Sequence, residues 1–326
     1  MRFKALGRTG VQVSELCFGT MSFGGDADAG ESAKLYRAAR DAGINFFDCA
    51  DIYSRGEAER LLGRCMAGER DELVIASKVG MAMGEGPNDR GASRRHIQRA
   101  VEDSLRRLGT DRLDLLYMHQ WLDAVPLEEI LRCLENLVRQ GKVLILGPSH
   151  YAPWHLMKGL GISTRNGWPR FDVIQPMYNL VKRQAESEIL PLAMAEQLAV
   201  VSYGPVGGGL LSGRYGTGLN PAEGRLVENE GYGARYGEPW VYEVASRFTE
   251  FAGTMGIHPV SLAVAWVRAH PQVTCPILGA RDVAQLRPSL DCLKVEMTPE
   301  LRARISSLSR EPALATDRLE ERREAD

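Results

Sequence analysis

The sequence predicts a closed (β/α)8 TIM barrel, with an N-terminal β-hairpin and extra C-terminal helices. Three observations carry this. Eight short apolar runs alternate with amphipathic helical patterns along nearly the whole chain. No break is long enough to separate two cores, so residues 1–326 read as one domain. The competitor, an open doubly wound sheet, would place a G-x-G-x-x-G fingerprint after its first strand. That turn reads GTMSFGG and lacks the spacing.

The elements follow in order. Arg2–Ala5 and Val11–Val13, joined across Gly7-Arg8-Thr9-Gly10, form a hairpin that makes residues 1–15 a cap. Leu16–Thr20 is the first buried strand. Helix 31–42 stops at Gly43, and strand 44–47, helix 57–66 and strand 73–78 come next. Helix 93–107 is capped by Ser93, lined by Ile97, Val101 and Leu105, and stopped by Gly109. Strand 113–118, helix 127–140 and strand Val143–Leu146 continue the series. Helix 153–160, strand Val173–Gln175, helix 186–197 and strand Ala199–Tyr203 come after them. Residues 204–240 are Gly-rich and charged and read as a cofactor or lid loop. Helices 241–256 and 259–269, strand Val273–Leu278, and helices 282–291 and 298–308 complete the fold. Residues 310–326 are a charged, solvated tail.

Composition narrows the function classes. The chain is 44% hydrophobic and 25% charged, within the range of ordinary globular domains. A net charge of −2 gives no electrostatic case for nucleic acid or an anionic membrane. The longest apolar runs are far shorter than a membrane span. MRFKALGRTG has no apolar signal-peptide core, and the six cysteines show no CxxC spacing. They read as buried free thiols, and the cytoplasm is the expected compartment. Oligomeric state is not legible, so a homo-oligomer stays open.

The chemistry concentrates at strand ends. The strand at 44–47 delivers Asp48, the strand at 73–78 ends in Lys78, and LDLLYM at 113–118 ends in His119. Tyr53 lies in the loop just beyond the first of these. In a barrel, reactive groups sit at the carboxyl ends of the strands, so all four converge on one pocket. A lone Asp, Lys or His would more often be a salt-bridge partner, a solvated strand cap or a core histidine. Their succession on adjacent strands favours function. A phenol has an ordinary pKa of about 10. An ammonium about 4 Å away at an effective dielectric of about 20 is worth roughly 4 kcal/mol, or about three pKa units. Lys78 is therefore expected to bring Tyr53 toward its working range, with Asp48 holding the ammonium and His119 donating to a carbonyl or to the phenol. The set suits carbonyl reduction, given a hydride source. No nucleophile is primed for acyl transfer and no metal cluster is evident.

In order and context, Asp48, Tyr53, Lys78 and His119 resemble the catalytic tetrad of the aldo-keto reductases. Supporting segments run along the chain: FGTMSFG (18–24), DAGINFFDCADIY (41–53), SLRRLGTDRLDLLYMH (104–119), LVRQGKV (137–143), IQPMYNLV (174–181), GGGLLSGRY (207–215) and PILGARDVAQL (276–286). The resemblance is to the branch that includes potassium-channel β subunits and aryl-alcohol-dehydrogenase-like enzymes. It implies an NADPH-dependent reductase of a small-molecule carbonyl, with Tyr53 as general acid, Lys78 and Asp48 tuning it, and His119 orienting the carbonyl.

The same resemblance implies cofactor contacts. Gly19, Thr20, Met21 and Asp48 make the first of them. Ser149, His150 and Gln175 hold the nicotinamide carboxamide, and Tyr203 stacks on its ring. Gly204, Pro205, Val206, Gly208, Leu210 and Arg214 run along the pyrophosphate, where glycines permit close approach. Gly279, Arg281, Gln285 and Ser289 meet the adenosine end. There Arg281, at a helix N-terminus, suits a 2′-phosphate and hence NADPH over NADH. The chain departs from the family pattern at Pro148 and His150, in a motif usually Gly-x-Ser-Asn, and at Ser289, where an Asn is common. Phe23, Tyr53, Met81, His119 and Trp121 are expected to line an apolar substrate pocket, and Tyr232, Tyr236 and Trp240 a lid. That pocket suits moderate-sized aromatic or alicyclic aldehydes and ketones. The alternatives are an NADP(H)-binding regulatory or sensor subunit, which keeps the same tetrad, and a sugar-phosphate isomerase on the same barrel, which needs no dinucleotide.

Overall fold

A computed structural model describes residues 1–219, 221–318 and 320. Asn220 of the lid stretch, and Leu319 and residues 321–326 of the charged tail, lie outside the described residues.

Two short strands, β1 (Phe3–Ala5) and β2 (Gln12–Ser14), form the antiparallel hairpin. Eight parallel strands follow: β3 (Cys17–Gly19), β4 (Phe46–Asp48), β5 (Val74–Val79), β6 (Leu113–Met118), β7 (Val143–Pro148), β8 (Val173–Ile174), β9 (Ala199–Ser202) and β10 (Cys275–Leu278). The β3 to β7 neighbours pair in sequence order, and β10 pairs with both β3 and β9. The ring closes between β7 and β8. There the Asp172 N–H donates to the Leu146 carbonyl at 3.0 Å and the Gln175 N–H to that of Pro148 at 3.0 Å. Helices cover the outside.

Successive strand residues fall alternately into two separate apolar clusters. Phe18, Phe47, Ile75, Leu116, Leu146 and Val200 pack with helix residues, so they face outward. Cys17, Phe46, Val74, Ala76, Leu115, Tyr117, Ile145 and Cys275 pack with no helix residue and fill the barrel. Both faces are dry, so the strands read as continuous apolar runs rather than alternating ones. Leu6 and Val13 of the hairpin join the interior cluster, each fully buried, and plug the amino-terminal end.

Element ends shift for physical reasons. The strand expected to stop at Leu146 runs on to Pro148, because Gly147 and Pro148 continue the ladder with Tyr117 and Met118. Gly147 is required there. A Cβ at this position would sit 2.6 Å from the Val173 carbonyl oxygen and 3.0 Å from the Tyr117 ring, at the seam of the barrel. The helix expected over 153–160 extends over Pro153–Asn166. Gly159 does not break it, since its bare face packs against Phe171, 2.8 Å from where a Cβ would lie. The helix expected at 186–197 shortens to Ile189–Ala195 behind a single 3-10 turn at Gln184–Glu186. The 204–240 stretch is more ordered than its composition suggests, with a 3-10 segment at Gly207–Ser212 and short helices at Arg225–Glu228 and Glu230–Arg235. None of the described helices is long and apolar enough to cross a membrane. The six cysteines are free thiols, five of them buried.

Leu6→Ala tests the plug. Emptying a fully buried leucine position should cost about 2–5 kcal/mol in urea unfolding. A loss below about 0.5 kcal/mol would show that the hairpin contributes nothing to the interior core.

Candidate active site

Strand register places the reactive groups. Gly19 pairs with Asp48 and Lys78 with Tyr117, and the His119 N–H donates to the Val79 carbonyl at 2.9 Å. Asp48, Lys78 and His119 thus emerge on one rim, from consecutive strands β4, β5 and β6. Thr20 is fully buried and fixes the first of them. Its N–H and its Oγ1 both donate to the Asp48 carbonyl, at 2.9 and 3.1 Å.

Tyr53 reaches the same rim through a turn that costs energy. It opens the 3-10 segment Tyr53–Gly56, in which Ser54 (φ 47°) and Arg55 (φ 54°) are both left-handed without being glycine. Such residues cost of order 1–2 kcal/mol each and persist only where the surroundings over-determine them. Here Ser54 Oγ donates to the Phe23 carbonyl at 2.7 Å. The Arg107 side chain lies against Gly56, leaving no room for a Cβ. Arg107 also binds the fully buried Glu59 at 2.6 Å, and Ser77, the neighbour of Lys78, donates to the other Glu59 oxygen at 2.6 Å. The turn, the helix behind it and β5 are therefore tied together.

The Lys78 ammonium is the hub. It donates to Asp48 Oδ2 at 2.5 Å, to the Cys49 carbonyl at 2.8 Å and to the Tyr53 hydroxyl at 3.0 Å. Gln175 Nε2, from the far side of the barrel, donates to the other Asp48 oxygen at 2.8 Å. Burial alone would lower the pKa of Lys78. The Asp48 carboxylate and Tyr53 more than offset this and hold it above its ordinary value, so the lysine is charged. Tyr53 corrects the sequence expectation. Its pKa is pushed up to about 12, because burial of the hydroxyl outweighs the attraction of Lys78, which Asp48 partly cancels. At neutral pH the phenol is therefore protonated, a loaded proton donor hydrogen-bonded to a cation.

His119 stands edge-on to Tyr53, with ring centroids 6.1 Å apart. Its pKa falls to about 3, from burial and then from Lys78 and His150, so the ring is neutral. Its buried Nδ1 has no hydrogen-bond partner among the described residues. His150, left-handed at φ 56°, lies parallel to it at 6.4 Å and meets the Tyr203 hydroxyl through Nδ1 at 3.1 Å. Its pKa falls to about 4 through burial, Arg235 and Lys78.

The other expected residues divide. Ser149 Oγ contacts the carbonyl and side-chain oxygens of Gln175, each at 3.2 Å, so these two form one buried polar unit beside Asp48. Met21 is exposed at the rim. Gly204 offers its carbonyl to Asn179, Pro205 is buried, and Val206 and Gly208 are half-buried in the following turns. Gly279 has open space where a Cβ would point. Arg214 donates to the Glu223 carbonyl, within its own loop. Gln285 is exposed and accepts from the Arg281 N–H at 2.7 Å.

Three placements are corrected. Phe23 is fully buried against Phe18 and does not line a pocket, since its turn folds inward under Ser54. Leu210 is fully enclosed in the core, leaving only its backbone to a ligand, and Ser289 is buried too. Met81 is half-buried. Trp121 joins an aromatic group instead of standing alone, stacked at 3.7 Å on His155 with Tyr151 and Trp154 edge-on to it. Of the expected lid, Tyr236 is a core residue bonded to Asn179, and Tyr232 packs over Gly208. Trp240 lies under Arg310.

Two residues escape sequence reasoning. Arg235 stacks on Tyr232 at 4.8 Å and its charge reaches His150 and Tyr203. It lies in a loop where nothing marks one arginine among several. Asp51 is fully buried, and neither carboxylate oxygen has a side-chain partner among the described residues. Burial and the nearby Glu59 raise its pKa to about 7, against the pull of Arg107. Position 51 reads as loop, and only the fold encloses it.

The Aldo/keto reductase family model matches residues 15–310. The chain belongs to the aldo/keto reductase family. It is 35% identical over 316 residues to the "Uncharacterized oxidoreductase YrpG" of Bacillus subtilis (strain 168), covering 92% of this chain and 94% of that protein. It is 33% identical over 318 residues to a "Probable voltage-gated potassium channel subunit beta" of Oryza sativa subsp. japonica, covering 94% and 96%. To the "Versiconal hemiacetal acetate reductase" of Aspergillus parasiticus it is 30% identical over 332 residues, covering 92% and 94%. The family typically uses NAD(P)H. The residues present fit such a group: Gly204, Gly208 and Gly209, in the turns that follow Tyr203 in the chain, are left-handed glycines of the kind that let a backbone approach a ligand closely. Among the described residues no cluster suited to a metal ion occurs.

Asp51→Asn tests the buried carboxyl. A raised acid pKa means the folded state binds the extra proton, so wild-type stability falls as pH rises from about 4 through about 7. The stability of the variant relative to wild type in urea unfolding should rise by on the order of 2 kcal/mol between pH 5 and pH 8. An equal difference at both pH values would show that Asp51 does not titrate there.

Proposed function

We propose that this protein reduces an aldehyde or ketone to an alcohol with NADPH, Tyr53 acting as general acid. The observation that carries this reading is the Tyr53 hydroxyl 3.0 Å from a buried, charged Lys78 that is itself held by Asp48. A bound dinucleotide supplies the hydride that adds to the carbonyl carbon. The chain's residues handle the proton. His119, neutral and edge-on to Tyr53, positions the carbonyl oxygen beside the phenol. As that oxygen gains negative charge, the Tyr53 O–H bond breaks and the proton passes to it. Lys78 then faces a phenolate, which its ammonium stabilises.

Ser149 and Gln175 are suited to hold the nicotinamide carboxamide. Gln175 Nε2 has two N–H bonds and Asp48 uses one of them. Tyr203 would stack on the ring, the backbone of 204–210 would follow the pyrophosphate, and Arg281 would take the 2′-phosphate. The aromatic group around Trp121 favours moderate-sized aromatic or alicyclic substrates over free sugars. The cytoplasm is the proposed compartment.

A second reading is a dinucleotide-binding regulatory subunit, motivated by the similarity to a protein named as a potassium-channel β subunit. NADPH oxidation with an activated aromatic aldehyde, run beside Tyr53→Phe, separates the two. Reductase function predicts turnover in wild type and a loss of about 100-fold or more in the variant, with cofactor binding retained. Tight NADPH binding without turnover across a carbonyl panel would favour the regulatory reading, and equal rates would remove Tyr53 as the donor.

A further inference from the structure

Arg281 is not a free cation. Its Nε lies 3.1 Å from Asp26 Oδ2 and its terminal nitrogen 3.3 Å from Glu228 Oε2. Asp26 Oδ2 also meets the Arg225 guanidinium at 3.5 Å. Three distant segments therefore meet in one chain of alternating charge: the loop after β3, the short helix Arg225–Glu228, and the turn after β10. The backbone donors around Arg281 are spent as well. Its own N–H goes to Gln285 Oε1 at 2.7 Å, that of Gln285 to Asp282 Oδ1 at 2.7 Å, and that of Val283 to Glu31 Oε1 at 3.3 Å. Asp26 and Glu228 thus pair with the two guanidiniums, while Glu31, itself paired with Lys34, and Asp282 occupy the backbone N–H groups beside them, four carboxylates against three cations.

A phosphate dianion entering here meets an excess of negative charge and must displace carboxylates to reach Arg281. A ribose hydroxyl meets no such barrier, because a neutral O–H donates to a carboxylate. We propose that Asp26 and Glu228 are specificity-determining residues that compete with a 2′-phosphate for Arg281 and hold down the preference for NADPH over NADH. This rests on the reading that the adenosine end of the dinucleotide lies against Arg281. Both carboxylates are about half exposed. Removing either charge is therefore compatible with folding, and each acts at the modest strength of an exposed ion pair.

The test measures NADPH and NADH dissociation constants by nicotinamide fluorescence, without substrate, for wild type, Asp26→Asn, Glu228→Gln, the double variant and Arg281→Ala. The NADPH-to-NADH affinity ratio should rise about three-fold in each single variant and about ten-fold in the double, and fall in Arg281→Ala. The proposal is overturned if the ratio is unchanged or falls when the carboxylates are neutralised. A ratio that ignores Arg281→Ala as well would place the adenosine end elsewhere. Failure of wild type to bind either dinucleotide would remove the cofactor reading itself.

Discussion

A buried ion pair between Lys78 and Asp48 governs this structure. Both side chains are at most 3% exposed, and taking two charges out of water costs several kcal/mol per ion unless the remaining valences are filled. The fold fills them. Cys49 and Tyr53 accept from the ammonium, and Gln175 donates to the second carboxylate oxygen. The tyrosine proposed as proton donor is thus one of the groups that satisfy the buried ammonium.

That requirement explains the strain nearby. The two left-handed residues after Tyr53 turn the chain sharply enough to bring the phenol back over the rim, and the Ser54–Phe23 and Glu59–Arg107 contacts hold the turn there. The same neighbourhood holds Asp51, a buried carboxyl with no side-chain partner among the described residues. Favourable and unfavourable charge environments lie within a few residues of each other.

Much of this was legible in the sequence. An acid, a lysine and a histidine ending three successive apolar strands place themselves on one rim of any parallel barrel, and the register confirms it. The helix limits at Ser93 and Gly109 were equally readable, because capping is local chemistry. Position relative to the core was less so. Phe23 looks like a pocket residue until its turn is seen to fold under Ser54, and Leu210 until its 3-10 segment packs inward. The lowered tyrosine pKa failed for another reason: pairwise Coulomb reasoning counted the lysine but could not count the enclosure of the hydroxyl. Nor could a sequence show that Arg281 meets Asp26, 255 residues earlier.

The Gln175 bond has a further consequence, for the order in which the molecule assembles. Asp48 lies 30 residues from Lys78 but 127 from Gln175. A chain that had formed only β3 to β7 would hold the ion pair with one carboxylate oxygen unsatisfied and the seam open beside it. Forming the seam between β7 and β8 thus also brings in the second bond to Asp48. Closure of the barrel at this seam and satisfaction of its buried carboxylate are therefore coupled across 127 residues of chain by one side-chain bond.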